Sequence, residues 1–414
     1  MRISARRVEI KFLHDRYNAV IFKKGRARGI YLVGGYVRDA LRGVSSQDRD
    51  FVVTGDLMSF VGGIRNSFGG TMVRFRKAHM ARLALPNGIT FDFSARMGTI
   101  EEDLSRRDFT INALSWSPER GIIDMHNGME DLAGKRIRMI SEANLISDPL
   151  RLLRAYRFAA ELGGSIEKKT RNAIKTLHNR IENASPERIT LELFHLLNSK
   201  GSSRYLKGAL TDRVLSSILS FDDKVLEGNI RAISVLEGRM LEVLPGDIKD
   251  LLDAIFSQNL TYKGLLCLEL LLQGSDHRGS KVRMSSHIKR RIKLSSIGVA
   301  EMRKERSELP GRLFDIFVRL RDAALDVLIV SGRIDLIRKY DNFTEIMRDG
   351  LLSSQDIMTI SGVGTGPIVG RYVLALKRAE FEGKVKSRIE AIDFVRKEGK
   401  RGNSRGLNPH CSRS

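Results

Sequence analysis

Apolar residues fall along this chain in two regimes. Between residues 30 and about 138 they come in short runs, including Tyr31-Leu32-Val33 and the stretches 70–75, 82–85 and 89–93, separated by turn signals such as Pro86-Asn87-Gly88. Short runs rich in β-branched and aromatic residues and bounded by Gly, Pro and Asn predict strands. Beyond about residue 139 the period changes: leucine-rich amphipathic stretches continue almost without break to residue 396 and predict helices. The fold class expected is a mixed α/β domain over 30–138 followed by all-α domains. Residues 1–29 are basic without clear periodicity and read as a flexible or RNA-facing arm with room for a short helix. The basic, polar tail after Glu398-Gly399 reads as disordered. No internal repeat stands out.

Length and charge sharpen this picture. A chain of 414 residues holds two to four domains and a substantial core. Its 71 basic and 49 acidic residues give a formal charge of +22, which suits a polyanionic partner through phosphate neutralisation and counterion release. Charge alone fits a ribosomal or membrane-surface protein equally well. Two cysteines, Cys267 and Cys411, support neither a disulfide framework nor a cysteine zinc site, so a reducing cytoplasm is the simplest compartment. The basic N-terminus lacks an apolar signal core, and the longest apolar stretch, near Leu265–Leu272, is broken by Glu269, so no membrane span is expected. The eight histidines form no HxxxH or HExxH pair.

The candidate chemistry begins in residues 30–53, IYLVGGYVRDALRGVSSQDRDFVV, which read as strand, glycine turn, short helix and a strand carrying two carboxylates. Side chains two apart on a strand share a face, so Asp48 and Asp50 project together, roughly 7 Å apart along the chain, while Arg49 faces away. Such a pair can hold two Mg²⁺ ions about 3.5–4 Å apart, and Mg²⁺ accepts a few carboxylates completed by substrate phosphate oxygens. Gly34 and Gly35 let the backbone approach a phosphate where amide groups point outward. Arg38, one turn into the helix, can add a charge-assisted contact to the same phosphate. Each half alone also fits an ordinary turn or a solvated strand end. Their succession within about a dozen residues favours a metal-dependent nucleotidyl-transfer site.

Two further segments add recognition groups. In EEDLSRRDFTINALS (101–115), Asp108 and Asn112 share a face if the segment is helical and can bond a ribose 2′-hydroxyl, while Arg107 can reach a triphosphate. In DPLRLLRAYRFA (148–159), Asp148, Arg151, Arg154 and Arg157 form a slanting polar row beside a buried stripe of Leu152, Leu153, Tyr156 and Ala159. Asp148 can accept from the exocyclic amine of cytosine or adenine while Arg151 donates to the adjacent ring nitrogen; guanine and uracil present a carbonyl there and are rejected. Taken singly, these segments also read as surface helices with solvated charges.

Together the segments resemble the class II tRNA nucleotidyltransferase and bacterial poly(A) polymerase family, which includes the CCA-adding enzymes. LVGGYVRD with DRD is similar to its first motif and RRDFTINAL to its second. Asp124 through Gly128 to Asp131-Leu132 is similar to the third, hinge-type motif, Asp148 to Arg157 to the nucleotide-selecting fourth, and Ser185-Pro186-Glu187-Arg188 with Glu192-Leu193 to the fifth. The resemblance runs through roughly residues 30–195 and is weak beyond 197. It implies a nucleotidyltransferase palm (30–138), a nucleotide-selecting helical neck (139–196), a tRNA-binding body and tail (197–397) and a basic end (398–414). It also implies Mg²⁺ at Asp48 and Asp50, ribose recognition around Asp108 and Asn112, base selection by Asp148 and Arg151, and the tRNA acceptor arm as partner.

Two departures stand out. Ser147 occupies the position where the family usually has glutamate, which loosens support of the base-reading pair. Only Ser94–Thr99 separates the strand 89–93 from the helix leading to Arg106-Arg107-Asp108. Full CCA-adding members carry a longer flexible loop there that helps switch the pocket from CTP to ATP; its absence resembles the CC-adding members. The function expected is therefore addition of CC to tRNA from CTP with release of pyrophosphate. The alternatives are complete CCA addition, A addition from ATP alone, a poly(A) polymerase, to which the run Arg74-Phe75-Arg76-Lys77-Ala78-His79 has some likeness, and a non-catalytic RNA-binding protein on the same scaffold.

Overall fold

The computed structural model describes residues 5–26, 28–75, 79–96, 98–257, 259–274, 280–304 and 309–405. It divides into two compact units. Met1–Glu237, Asp253–Gly264 and Ser275–Arg283 make the first; Gly238–Leu252, Leu265–Gly274 and Met284–Ser414 make the second.

The first unit is built on a seven-stranded sheet. Its strands are β1 (Ile30–Val33), β2 (Asp48–Val53), β3 (Thr71–Phe75), β4 (Met80–Ala84), β5 (Thr90–Ala95), β6 (Leu114–Ser117) and β7 (Gly121–Asp124), in the order β3-β4-β5-β2-β1-β6-β7. β2 pairs β5 in parallel and the other neighbours are antiparallel. The period of two sorts side chains cleanly. Phe51, Leu83, Phe91 and Phe93 are fully buried on one face, with the Phe51 and Phe93 rings stacked at 5.3 Å. Asp48, Asp50, Asp92 and Arg82 occupy the other face, where Asp50 lies opposite Asp92 and Asp92 opposite Arg82.

Residues 5–24, expected as a flexible or RNA-facing arm with room for a short helix, form two helices, α1 (Ala5–His14) and α2 (Arg16–Lys24). Val8 with Phe12, and Tyr17 with Ile21, are i,i+4 pairs buried in the sheet's core, where Phe12 and Phe22 contact Trp116 at ring distances of 5.2 and 5.1 Å. The stripe was hidden by the exposed Lys and Arg residues around it. Asp15 caps α2 by accepting from the amides of Tyr17 and Asn18, and it also accepts from the buried Arg49 at 2.9 Å. Arg49 lies between the rings of Tyr17 and Tyr36, at 5.1 and 4.8 Å. The residue between the two aspartates thus anchors β2 on the face opposite to them.

The sheet is joined by α3 (Gly35–Arg42), α4 (Leu57–Phe68), α5 (Ile100–Ser105) and α6 (Gly128–Ala133), and is followed by α7 (Glu142–Ser147), α8 (Arg151–Leu162), α9 (Lys168–Leu177) and α10 (Pro186–Asn198). α8 buries Leu152, Leu153, Tyr156, Phe158 and Ala159. Asp212, fully buried, accepts from the Tyr156 hydroxyl and from Arg171, each at 2.6 Å, and ties α8 and α9 to the turn that follows helix Ser202–Thr211.

The second unit is helical, with long members at Ser286–Lys304, Pro367–Phe381 and Arg388–Arg405. Inside it Arg291 donates to Asp326 at 2.9 Å and the Ser295 hydroxyl donates to Glu269 at 2.8 Å. The last helix runs to Arg405, six residues into the segment expected to be disordered; residues 406–414, with Cys411, lie outside the described residues. Among the described residues no helix is long and apolar enough to cross a membrane.

Candidate active site

Gly34 ends β1 with φ of 69°, a conformation that favours glycine, and opens α3. A β-carbon there would sit 2.7 Å from a nitrogen of Arg107 and 3.6 Å from the Asp50 carboxylate, so the turn, the arginine and the strand aspartate meet at one point. Arg107 is held by Asp103 at 3.1 Å and keeps Nη1 turned toward Gly34. These groups open a cleft of about 460 Å³, lined by Gly34, Gly35, Arg38, Asp50, Arg107, Asp108, Asn112, Asp148, Arg151, Arg154, Arg157, Phe158 and Arg188. Every residue expected to bind nucleotide lines this cleft. Asp48 is exposed and lies outside the lining, on the strand face it shares with Asp50.

The polar groups form a connected chain. Arg38 is clamped by Asp39 and donates at 2.6 Å to the Asn112 carbonyl; the Asn112 amide donates at 2.9 Å to Asp108. Asp108 accepts from Arg154 at 2.8 Å, and Arg154 and Arg157 each lie 3.0 Å from Glu192 on α10. Thr110–Asn112 is a 3₁₀ turn. Asn112 nevertheless reaches Asp108, as the spacing required. Burial opposes ionisation of Asp108, but Arg154, Asn112 and the Phe109 amide more than offset it and leave its pKa lowered. Arg38, Arg154 and Arg157 surround the Phe158 ring at 5.0, 5.0 and 4.1 Å from its centre. Arg38, read as a phosphate contact, is committed to Asp39 and Asn112, and Asp108 is committed to Asn112 and Arg154. Both positions therefore shape the cleft as well as face it.

At the other end Asp148 receives two bonds from Arg188, at 3.2 and 2.8 Å, and Arg151 donates to the Asn144 carbonyl at 3.0 Å. Ser147 donates to the same carbonyl at 2.9 Å. The two base-reading candidates are thus braced separately, Asp148 from α10 and Arg151 from α7.

On the sheet, burial pushes the Asp50 carboxyl up to about 6, with Asp92 and Asp48 adding repulsion and Arg107 and Arg82 opposing it. Asp92 was missed in the sequence. Its signal was a lone carboxylate alternating with Phe91 and Phe93, but its alignment with Asp50 depends on strand order. Phe158 was missed because an aromatic on a helix stripe reads as ordinary core.

Residues 78–138 match the poly A polymerase head domain family, and residues 164–221 match the family described as a probable RNA and SrmB binding site of polymerase A. A CC-adding tRNA nucleotidyltransferase of Synechocystis sp. is 28% identical over 400 residues, covering 89% of this chain and 93% of that protein. An A-adding tRNA nucleotidyltransferase of Deinococcus radiodurans is 27% identical over 419 residues, covering 89% and 95%. The fold is shared with the Thermotoga maritima CCA-adding enzyme, solved in complex with tRNA, at a TM-score of 0.74 and 20% identity over 96% of this chain and 98% of that one. Four of the five motif segments line one cleft, and relatives match along nearly the full length, so the chain is similar throughout to tRNA nucleotidyltransferases and carries segments of the poly A polymerase head and RNA-binding families.

Proposed function

We propose that this chain extends the 3′ end of tRNA by adding CC from CTP, releasing pyrophosphate. The observation that carries the specificity is the connection from β5 to α5. It spans residues 96–99, beginning with an Arg96 amide bonded to Val53 at 2.8 Å and ending on Thr99, which caps α5 through a reciprocal pair with Glu102. A connection so short and tied at both ends leaves no room for the longer loop that the resemblance associates with the change from CTP to ATP. The reducing cytoplasm expected from the scarcity of cysteine is the compartment we propose.

The residues present fit divalent cations. Asp48 and Asp50 are oxygen donors on one face, and Asp50 is a partly desolvated carboxylate repelled by its neighbours, an arrangement that a cation relieves. Among the described residues no cluster of three or more His, Cys, Asp or Glu makes a full protein cage, which suits Mg²⁺ completed by substrate oxygens. Asp48 and Asp50 would hold magnesium, which would supply charge neutralisation at the transferring phosphoryl group and a lowered pKa for the attacking hydroxyl.

The chain's own groups do the rest. The Gly34 turn and Arg107 receive the triphosphate, where amides at the start of α3 and a pinned guanidinium favour anionic oxygen. Asp108 and Asn112 hold the ribose side of the cleft. Asp148 accepts from the cytosine amine and Arg151 donates to the ring, once Asp148 exchanges part of its pairing with Arg188 for the base. Arg151→Ala is expected to erode the preference for CTP over UTP by about ten- to a hundred-fold in kcat/KM, the range for loss of one base-reading pair. Unchanged discrimination would refute the base-reading role.

The direct test is incorporation of labelled CTP and ATP into three tRNA transcripts, ending at the discriminator base, after one added C, and after CC. Extension of the first two to CC, with no addition to the third, is expected. Addition of A to CC ends would make the enzyme CCA- or A-adding and overturn the short-connection reading.

A further inference from the structure

The cleft occupies one side of β2. Gly34 and Gly35 follow β1, Arg107, Asp108 and Asn112 lead into β6, and Asp148 to Arg157 belong to the α7–α8 junction and α8. On the opposite side of β2 come β5, β4 and β3. In-line transfer places the attacking oxygen and the leaving pyrophosphate on opposite sides of the phosphorus. With the triphosphate on the β1 side, the acceptor hydroxyl must reach Asp48 and Asp50 from the β5 side.

The sheet face on that side is open. Pairing aligns Asp50, Asp92, Arg82 and Val73 in one row, and Val52, Ser94, Met80 and Phe75 in the next. The reverse face of the same strands is packed, with Ala81, Leu83, Phe91 and Phe93 fully buried, whereas Val73 is 44% and Phe75 39% exposed. Two large apolar side chains exposed side by side on an edge strand call for a partner. Arg82 spends Nε and Nη2 on Asp92, both at 2.7 Å, which offsets part of the negative charge beside the reacting centre. The face therefore runs from acidic at β2, through one paired arginine at β4, to apolar and aromatic at β3, three strand spacings or about 14 Å away.

We propose that this open face of β5, β4 and β3 is the track for the last unpaired nucleotides of the RNA acceptor, with a base seated on Phe75 and Val73 and the chain leading over Arg82 to the carboxylates. This rests on the nucleotidyl-transfer reading above. Aromatic and apolar side chains standing on a sheet are suited to unstacked bases, tolerate any base, and take single strands in preference to a duplex. The formal charge of +22 over the whole chain suits a polyanionic partner. Residues Arg76, Lys77 and Ala78, between β3 and β4 in the chain, lie outside the described residues and carry no part of this inference.

The test uses the full-length protein with tRNA transcripts ending at the discriminator base. Phe75→Ala and Val73→Asp, both at exposed positions, are expected to raise KM for the transcript about ten-fold each, toward the lower end of the range for loss of one base-stacking contact, without moving KM for CTP. A transcript ending in 4-thiouridine, irradiated on the wild-type protein, is expected to crosslink within residues 71–94. Unchanged transcript KM in both folded variants, or a crosslink mapping outside these strands, overturns the track. If the wild-type protein itself adds nothing to any transcript, the nucleotidyl-transfer reading fails and takes the track with it, so the two failures are distinguished by the wild-type control.

Discussion

Asp50→Ala is expected to lower CTP incorporation by at least about a thousand-fold, with Asp48→Ala close behind, because these carboxylates are the groups that fit the cations and several kcal/mol of transition-state stabilisation depend on them. RNA binding, measured by filter retention, is expected to survive in both. Stability separates a catalytic loss from a damaged fold. The Asp50 pKa is raised from 3.8 to about 6, chiefly by burial and then by Asp92 and Asp48. A carboxyl with a raised folded pKa disfavours the folded state as pH climbs: the penalty is absent below about 3.8 and fully present above about 6. Asp50→Asn removes that penalty, so in metal-free buffer at pH 7 its melting temperature is expected to equal or exceed that of the wild type while activity disappears. Retained incorporation in Asp50→Ala or Asp48→Ala would sink the metal assignment.

Arg154→Ala carries the second large effect, this time on the fold. Arg154 bridges Asp108, 5% exposed, and Glu192, 7% exposed, and its removal leaves buried Asp108 without its ion-pair partner and Glu192 with Arg157 alone. Breaking such a pair typically costs about 3–5 kcal/mol, on the order of 10 °C in melting temperature for a unit of this size. The pH dependence gives the cause away. In the wild type the lowered pKa of Asp108 contributes stability above its ordinary value of 3.8, lost as pH falls through the lowered folded value. In Arg154→Ala the burial that opposed ionisation is left unbalanced, the shift reverses, and the penalty grows as pH rises. The melting-temperature gap between wild type and variant is therefore expected to be widest near pH 7 and to narrow toward pH 4; a gap independent of pH would show that lost packing against Phe158 accounts for the effect. Arg154→Lys, which keeps the charge without the planar fork, should recover part of the stability.

Much of the cleft was legible before any coordinates because its residues cluster in short segments whose local geometry is dictated by spacing. Gly34 stands at a strand-to-helix turn where only a residue free of a β-carbon avoids Arg107. Asp48 and Asp50 share a face through the period of a strand, and the row from Asp148 to Arg157 follows the period of a helix. Spacing said nothing of what these side chains would hold. Arg38 was read as a phosphate contact, yet its bond to Asn112, 74 positions away, commits it to the wall of the cleft. Asp148 was read as free to meet a base, yet Arg188, 40 positions away, holds both its oxygens. The N-terminal segment, where room was left for one short helix, forms two packed ones that the sequence did not show. Their two i,i+4 apolar pairs are too few to stand out from a strongly basic segment, and they become helical by burial against Trp116 and the Arg49–Asp15 pair rather than by periodicity alone.

The sequence by itself determined the alternation of strand and helix periods, the aspartate pair and the glycine turn, since each depends on residues within about a dozen positions of one another. Strand order, and with it the placing of Asp92 beside Asp50 and of an open β3–β4–β5 face on the far side of the carboxylates from the nucleotide cleft, was decided only in the tertiary structure. The physical reason is that strand pairing and side-chain charge networks join residues 40 to 74 positions apart, through contacts that no local period encodes.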